Sequence, residues 1–205
     1  MSSGHDTDNA APSENREGRR SFLGGRFRRL KMLGIGAVAT MALLFAADAI
    51  FPPDFTRAHQ RSTVVLASDG TMLRGFLTPD DKWRLPITLK DVDRRYVELL
   101  LAYEDNRFAD HGGVDILAVG RAGWQAISNL GVVSGASTIT MQVARMLEPI
   151  PRSLPGKMLQ AARALQIERR LSKDEILDTY LTLAPFGGNI EGVRAASLAY
   201  FGKEP

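Results

Sequence analysis

The sequence predicts a mainly α fold with a small N-terminal β element, preceded by one transmembrane helix. Three observations predict this fold class: an apolar run over residues 32–50, strand-like residues over 62–87, and helical periodicity with helix caps from residue 89 onward. The chain has 205 residues, of which 44% are hydrophobic. That is enough for one membrane element and one modest domain.

The first segment, residues 1–31, is predicted to be a disordered, basic cytoplasmic tail. It holds seven of the 26 Lys and Arg residues and four of the 23 acidic residues, so residues 32–205 hold 19 of each sign. A neutral remainder offers no basic surface for nucleic acid, and no nucleic-acid partner is expected. Cys is absent, which excludes disulfides and thiolate metal sites.

Residues 32–50, MLGIGAVATMALLFAADAI, are predicted to anchor the chain in a membrane. As a helix they would span roughly 28 Å, close to the hydrocarbon thickness of a bilayer. The basic flank on their N-terminal side favours a cytoplasmic N-terminus and a single span, with the remainder on the outer, periplasmic side. A cleaved signal peptide is the alternative, since Ala47-Asp48-Ala49 resembles a cleavage site, but the apolar run exceeds the usual length of about 7–15 residues.

Residues 51–88 are predicted to form a linker and a β-hairpin. Pro52 and Pro53 end the apolar helix. The following STVVLASDGTMLRGFLT contains a β-branched run, a turn at Asp69-Gly70 and a second apolar run. This pattern is typical of two antiparallel strands.

Residues 89–205 are predicted to form a helical domain. In its first helix, within LKDVDRRYVELLLAYED, one face is expected to carry Val92, Tyr96, Leu99, Leu100 and Tyr103. The chain stops at residue 205 directly after a helix end, so this domain is expected to be truncated and to be the front part of a longer protein.

Helix caps divide the rest of this domain. Asp115 is a natural N-cap, and Ser172 with Glu175 forms a capping box. The predicted helical segments, caps included, are Asp115–Gly131, Thr138–Leu147, Leu154–Arg170, Ser172–Leu183 and Asn189–Gly202. Within the first of these, the apolar stretch from Trp124 to Leu130 is expected either to pack in the core or to rest near lipid headgroups.

The stretch EDNRFADHGGVD, at 104–115, concentrates polar side chains around two glycines. Glu104 ends an apolar helix, and a carboxylate half-buried there suits a general base or acid, although a solvated helix-end Glu is the simpler interpretation. Asp105 cannot share its helical face. His111 is compatible with a metal ligand, a base or a loop staple, of which the staple is favoured. Asp115 is interpreted as an N-cap.

The stretch GASTITMQ, at residues 135–142, is rich in small and hydroxyl side chains. Gly135 lets the backbone approach a ligand, and the hydroxyls of Ser137, Thr138 and Thr140 precede or open a helix. This arrangement suits a phosphate or a sugar, and the alternative is an ordinary Ser/Thr cap. Lys157 could supply positive charge for a pyrophosphate, or belong to a solvated face.

These stretches occur in an order that resembles a known family. EDNRFADHGGVD, GASTITMQVARML, LSKDEILDTYL and GNIEGVRAASLAYFGK together resemble the peptidoglycan glycosyltransferase (transglycosylase) domain of bifunctional penicillin-binding proteins, and VVLASDGTMLRGF and LAPFGGNIEGV most resemble the 1C class. The resemblance covers about residues 63–205. It implies a lysozyme-like glycosyltransferase domain that polymerises lipid II with inversion and releases undecaprenyl pyrophosphate at the cytoplasmic (inner) membrane.

The resemblance also assigns roles. Glu104 matches the catalytic carboxylate, which would take the proton from the 4-hydroxyl of the acceptor sugar. The residues expected to bind substrate are Asp105, Phe108, His111, Gly135, Ser137, Thr138, Gln142, Lys157 and Gln160. No cofactor is required, a loosely held Mg²⁺ is compatible with the pyrophosphate, and no residue is assigned to a metal. Lipid II, the growing glycan strand, the membrane and cell-wall synthesis proteins are the expected partners, and a downstream transpeptidase domain is expected.

Two departures from the family pattern affect these roles. The family's third motif reads Arg-Lys-x-x-Glu, whereas this chain has Gly156, Lys157 and Gln160 at the corresponding positions. Met141 stands where many relatives have Gln. Because Gln160 carries no charge, a catalytically weak membrane scaffold is retained as an alternative. A lysozyme-like glycan hydrolase, which also uses a Glu at a helix end, is retained as another, although no second carboxylate for hydrolysis is evident.

Overall fold

The structure, a computed structural model, describes residues 51–128 and 137–205, together with residues 31, 32, 34–36, 39, 46 and 48–50. Its two units are Met1–Pro52 and Pro53–Pro205. The predicted tail and most of the predicted anchor therefore lie outside the described residues. Within the described part of the chain, no helix is long and apolar enough to cross a membrane.

The predicted hairpin is confirmed. Strands β1 (Thr63–Leu66) and β2 (Met72–Phe76) pair antiparallel, and the register shifts between Val65 and Leu66. Asp69 shapes the connecting turn, because its carboxylate accepts hydrogen bonds from both the backbone N–H and the hydroxyl of Thr71. Both strands are largely exposed.

The second unit is mainly helical. A short helix α1 (Thr56–His59) precedes the hairpin, and the two-residue strand β3 (Trp83–Arg84) follows it. The longer helices are α2 (Arg94–Glu104), α3 (Ile116–Ser128), α4 (Ile139–Leu147), α5 (Leu154–Glu168) and α6 (Lys173–Leu183). Strands β4 (Pro185–Gly187) and β5 (Ile190–Glu191) lead into α7 (Val193–Phe201).

The predicted helix starts are largely confirmed by their caps. Asp115 accepts a hydrogen bond from the Ala118 N–H, Thr138 accepts one from the Met141 N–H, and the Ser172–Glu175 capping box forms. The prediction that Asn189 caps the last helix is wrong. The residues after it form β5, which lies between β3 and β4, and α7 begins after Gly192.

Gly192 is required at that position. Its φ of +87° is a conformation that side chains disfavour, and a Cβ there would lie 2.5 Å from the Thr182 carbonyl oxygen. The close approach of Gly192 to the end of α6 therefore replaces the side-chain cap that the sequence pattern predicts.

Two apolar clusters form the core. The larger one is built around Ile139, Val143, Ile167 and Ile176, and the smaller one around Val97 and its neighbours. The predicted buried face of α2 is partly wrong, since Leu99 and Tyr103 are 71% and 89% exposed. The helix instead turns Val97, Leu100 and Leu101 toward the core.

The inner face of α5 carries small and polar residues as well as an apolar one. Met158 is 68% exposed, whereas Gly156, Gln160, Ala164 and Ile167 are buried. These four positions recur at helical spacing along one face of α5. Gln160 therefore lies on the inner face of its helix, and Lys157, one residue after Gly156, is exposed.

Candidate active site

Glu104 is the last residue of α2, and its side chain is partly buried. Its Oε2 accepts a hydrogen bond of 2.9 Å from Nε2 of Gln142, which lies on α4. The first and second sequence motifs therefore meet at one carboxylate, through two residues that are 38 positions apart in sequence. The position of Glu104 thus depends on how α2 and α4 are held together.

The negative charge of Glu104 affects the pKa of two tyrosines. Burial and the negative charge of Glu104 raise the pKa of Tyr180 to about 12, and the same two causes raise the pKa of Tyr96. Both phenols therefore stay protonated at neutral pH. The carboxylate is close to uncharged, partly dry groups, which is the environment that the sequence predicts for a general base.

The loop after Glu104 is held by its own polar side chains. Asp105 is buried, and its carboxylate accepts hydrogen bonds from His111 Nε2 at 3.0 Å and from the Ile139 N–H at 2.9 Å. The Gly113 N–H donates to Nδ1 of His111, which assigns the ring proton to Nε2. Phe108 is buried with its ring edge-on to His111.

These contacts hold all three side chains within the protein, and their predicted substrate-binding roles stay predictions. The side chains of His111 and Asp105 are only 6% and 4% exposed, and Phe108 is 4% exposed. The side chains of His111 and Phe108 contact other protein groups and shape the loop after Glu104. For His111 this is the loop-staple interpretation of the sequence.

The hydroxyls of the second motif divide into two kinds. Thr138 donates to the Gly113 carbonyl oxygen at 2.6 Å and accepts from the Met141 N–H, and Thr140 donates to Glu168 Oε1 at 2.7 Å. Both threonines are buried. Thr138 therefore forms the cap that the sequence allowed as an alternative, its predicted contact with substrate stays a prediction, and Ser137 is partly exposed.

A cavity of about 190 Å³ adjoins Glu104. Ser137 and Thr138 border it on one side, and Ala118 and Arg121 of α3 border it on another. The described residues that line it are Ala102, Tyr103, Glu104, Asp105, Asn106, Asp115, Ala118, Arg121, Ser137 and Thr138. The candidate base and a half-exposed hydroxyl thus open into the same space.

Arg121 and Asn106 are cavity residues that the sequence reasoning missed. Asp115, Ala118 and Arg121 follow one another at three-residue spacing, so helical periodicity from the Asp115 cap would have aligned Arg121 with the motif. Asp115 itself already has partners within the protein. The hydrogen bond from the Ala118 N–H, together with the charge of Arg107, lowers the pKa of the Asp115 carboxyl, although burial acts to raise it. Arg107 Nη1 lies 3.5 Å from Asp115.

The third-motif residues lie apart from this lining. Lys157 is exposed and Gln160 is 92% buried on α5, and neither borders the described cavity. A Cβ at Gly156 would lie 2.0 Å from the Pro151 carbonyl oxygen, so this turn has no room for the family's arginine. Gly135 lies outside the described residues. Over the described ranges, no group of three His, Asp or Glu side chains is placed to hold a metal ion.

Comparisons with known proteins agree with the motif order. A sequence profile for the family described as Transglycosylase matches residues 69–205. Over 161 residues, the chain is 48% identical to penicillin-binding protein 1C of Escherichia coli (strain K12), covering 78% of this chain and 21% of that protein.

Two more relatives are similar over shorter stretches. Penicillin-binding protein 1A of Haemophilus influenzae is 43% identical over 121 residues, covering 58% of this chain and 14% of that protein. Penicillin-binding protein 1F of Bacillus subtilis (strain 168) is 37% identical over 122 residues, with 59% and 17% covered. The chain thus spans about a fifth or less of the length of the relatives it matches.

Proposed function

The chain belongs to the transglycosylase family, and on that premise we propose that it is a peptidoglycan glycosyltransferase of the 1C class. It polymerises lipid II into glycan strands and releases undecaprenyl pyrophosphate. One observation carries the proposal: Glu104 is partly buried, receives a hydrogen bond from Gln142 and borders a cavity that Ser137 also lines. A carboxylate held in this way is a suitable base for a hydroxyl that enters the cavity.

In the proposed reaction, Glu104 accepts the proton of the 4-hydroxyl of the acceptor sugar. The acceptor oxygen bonds to C1 of the donor while the bond from C1 to the pyrophosphate oxygen breaks, so the configuration at C1 inverts. The electron pair of the broken bond leaves on undecaprenyl pyrophosphate, and Glu104 later returns the proton to water. Gln142 keeps the carboxylate oriented through their 2.9 Å hydrogen bond.

Positive charge for the pyrophosphate comes from the chain's own cations. Lys157 is assigned this role by its match to the third motif, and Arg121 offers a second cation within the cavity. Gln160, as an amide, contributes orientation by hydrogen bonding and no charge. A bound Mg²⁺ would supply further neutralisation of the leaving group, and no residue is assigned to hold it.

The proposed substrate is a membrane lipid, and the chain has features that suit this location. Residues 32–50 are proposed as the single-pass anchor in the cytoplasmic membrane, with the catalytic domain outside it. On α3, Ile116, Leu117 and Trp124 are 78%, 66% and 73% exposed. Such side chains suit contact with lipid headgroups better than the core packing considered for Trp124. An anchored enzyme meets its substrate at high effective concentration.

A glycan hydrolase is the second candidate, because Asp115 lines the same cavity as Glu104. Hydrolysis by a glycosidase usually needs a second carboxylate that is free to act on water or on the sugar. Asp115 is occupied by the Ala118 N–H and by Arg107, and the other lining carboxylate, Asp105, is occupied by His111. Transfer therefore has more support than hydrolysis.

The test is polymerisation of labelled lipid II by the whole 205-residue chain in detergent or vesicles. We expect longer glycan strands from the wild type and a loss of about 100-fold or more in rate for Glu104→Gln. Glu98→Gln is the matched control, because Glu98 lies on the same helix and, within the described part of the chain, pairs with the exposed Arg94. Shortening of preformed glycan would support the hydrolase instead, and an active Glu104→Gln variant would contradict the assignment of the base.

A further inference from the structure

Lys173 occupies a position that its own helix does not explain. It is the first residue of α6, where the helix macrodipole is positive and a cation is disfavoured. The start of α6 is already satisfied by the Ser172–Glu175 capping box. The role of Lys173 therefore lies in its contacts with residues outside α6.

Those contacts lie on the loop that follows Glu104. The Lys173 ammonium donates to the His111 carbonyl oxygen at 2.7 Å and lies 4.3 Å from the centroid of the Phe108 ring. Phe108 is buried. One cation thus binds the loop both by a charge-assisted hydrogen bond and by a cation–π contact.

The same ammonium reaches the helix that carries Gln142. It donates to Glu168 Oε1 at 2.8 Å, and this oxygen also accepts the hydroxyl of Thr140 at 2.7 Å. Thr140 is fully buried and lies two residues before Gln142 on α4. The Glu168 side chain is only 10% exposed, so its charge depends on Lys173 for compensation.

The loop also packs tightly against Glu168. Gly113 has a φ of +94°, and a Cβ there would lie 3.0 Å from Cγ of Glu168 and 2.8 Å from the Ala164 carbonyl oxygen. A displacement of the Glu168 side chain would therefore also displace the loop at Gly113. Lys173 does not border the described cavity, so any effect on the reaction passes through other residues.

We propose that Lys173 is a positioning residue for Glu104. Through Glu168 and Thr140 it fixes α4, and through the His111 carbonyl and the Phe108 ring it fixes the loop after Glu104. The Gln142–Glu104 hydrogen bond joins these two parts, so its geometry depends on the spacing that Lys173 sets. This inference rests on the proposed glycosyltransferase function.

The test compares Lys173→Met, Lys173→Arg and the wild type in steady-state polymerisation of lipid II by the whole chain. For Lys173→Met we expect kcat to fall about 10- to 100-fold with KM within about threefold, because orientation is lost and substrate contacts are kept. Lys173→Arg should recover most of kcat, since it can donate to both oxygens. Lys90→Gln, which alters an exposed lysine far from these contacts in sequence, should match the wild type.

A double variant separates positioning from general stability. If Lys173 acts through Glu104, adding Gln142→Met to Lys173→Met should reduce kcat little beyond the worse single variant. All rates are measured well below the melting temperature of each variant. If Lys173→Met does not fold, Thr140→Val breaks the same chain of contacts at a neutral residue, and we expect about a threefold or larger fall in kcat.

Three results would overturn the inference: an unchanged kcat in the folded variant, a raised KM with kcat retained, or fully additive losses in the double variant. A raised KM would mean that Lys173 contacts substrate directly. A wild-type chain that makes no glycan strands would instead refute the proposed function. The two failures are therefore distinguishable in one set of assays.

Discussion

Glu104 sits at the C-terminal end of a helix, where the backbone carbonyls are unsatisfied and the dipole disfavours an anion. Among the described residues, its hydrogen-bond donor is the Gln142 amide on another helix. At the scale of single residues, the site is thus a carboxylate whose orientation is set by one neutral partner. An amide can orient the carboxylate without neutralising it, which suits a base.

Replacing Gln142 by Met removes this donor at similar side-chain volume. We expect kcat for glycan polymerisation to fall about 10-fold or more, because Glu104 is then free to adopt other rotamers. The measurement is steady-state polymerisation, with circular dichroism to show that the fold is intact. Retention of the wild-type kcat by a folded variant would show that Glu104 is held by other groups.

Single residues also show where sequence reasoning succeeds and where it cannot. Glu104 was identified because its motif has a fixed order and composition. Thr138 and Thr140 were expected to offer hydroxyls to a ligand. Their hydroxyls instead donate hydrogen bonds to Gly113 and Glu168, which lie 25 and 28 residues away in sequence. Partners at such separations are set by tertiary packing, which local pattern does not record. Arg121 was missed because it lies outside the motifs, although its three-residue spacing from Ala118 and Asp115 aligns it with the cavity.

At the scale of elements, helix starts were the most predictable feature. Caps are local contacts between residues two or three apart, so Thr138 and Ser172 could be identified from their neighbours alone. The buried face of α2 was less predictable, because apolar residues surround much of that helix and only the packing against α6 and its neighbours selects Val97 over Leu99.

Thr138 links two elements, so its substitution should affect stability more than an ordinary cap. Thr138→Ala removes the α4 cap and leaves the Gly113 carbonyl without its donor, and we expect a loss of about 1–2 kcal/mol in the free energy of unfolding. Thr138→Ser keeps both hydrogen bonds and should lose less than about 1 kcal/mol. Denaturant unfolding measures both, and equal losses in the two variants would argue against this role of the hydroxyl.

The start of α5 explains the absence of the family's arginine. A Cβ at Gly156 would meet the Pro151 carbonyl oxygen, so Gly156→Ala should lower the free energy of unfolding by about 1–3 kcal/mol. Gly120→Ala is the matched control, because nothing lies within 4 Å of its Cβ position in α3. There we expect stabilisation by about 0.5–1 kcal/mol. Equal effects at the two positions would contradict the described turn.

At the scale of the whole second unit, an ionic cluster ties the N-terminal elements to the C-terminal sheet. Arg84 is fully buried and pairs with Glu191 of β5 and with Asp80, and it donates to the Arg57 and Gln60 carbonyl oxygens near the end of α1. Arg57 in turn bonds Glu191 and the Met146 carbonyl oxygen at the end of α4. Elements more than 100 residues apart therefore share one network.

Because of this network, the free energy of unfolding depends on pH. Burial opposes ionisation of Asp80, but the hydrogen bonds from Thr78 and Arg84 and the charge of Arg84 outweigh it and hold the pKa of that carboxyl well below its usual value. A group with a lowered folded-state pKa stabilises the fold above its unfolded pKa of about 3.9 and loses that contribution as the pH falls further. The wild type should therefore lose stability as the pH drops below about 4.

Asp80→Asn isolates this contribution, because an amide keeps the side-chain size and cannot ionise. We expect the variant to be less stable than the wild type at pH 7, and the difference between them to shrink between about pH 4 and pH 2. Asp81→Asn is the control: the backbone φ of 58° at Asp81 is one that Asn also tolerates, and Asp81 lies outside the ionic cluster. Urea unfolding at several pH values measures each difference. A gap that stays constant from about pH 7 down to about pH 2 would mean that the pKa of Asp80 is the same in the folded and unfolded chains, and the ionic cluster would then not stabilise its carboxylate.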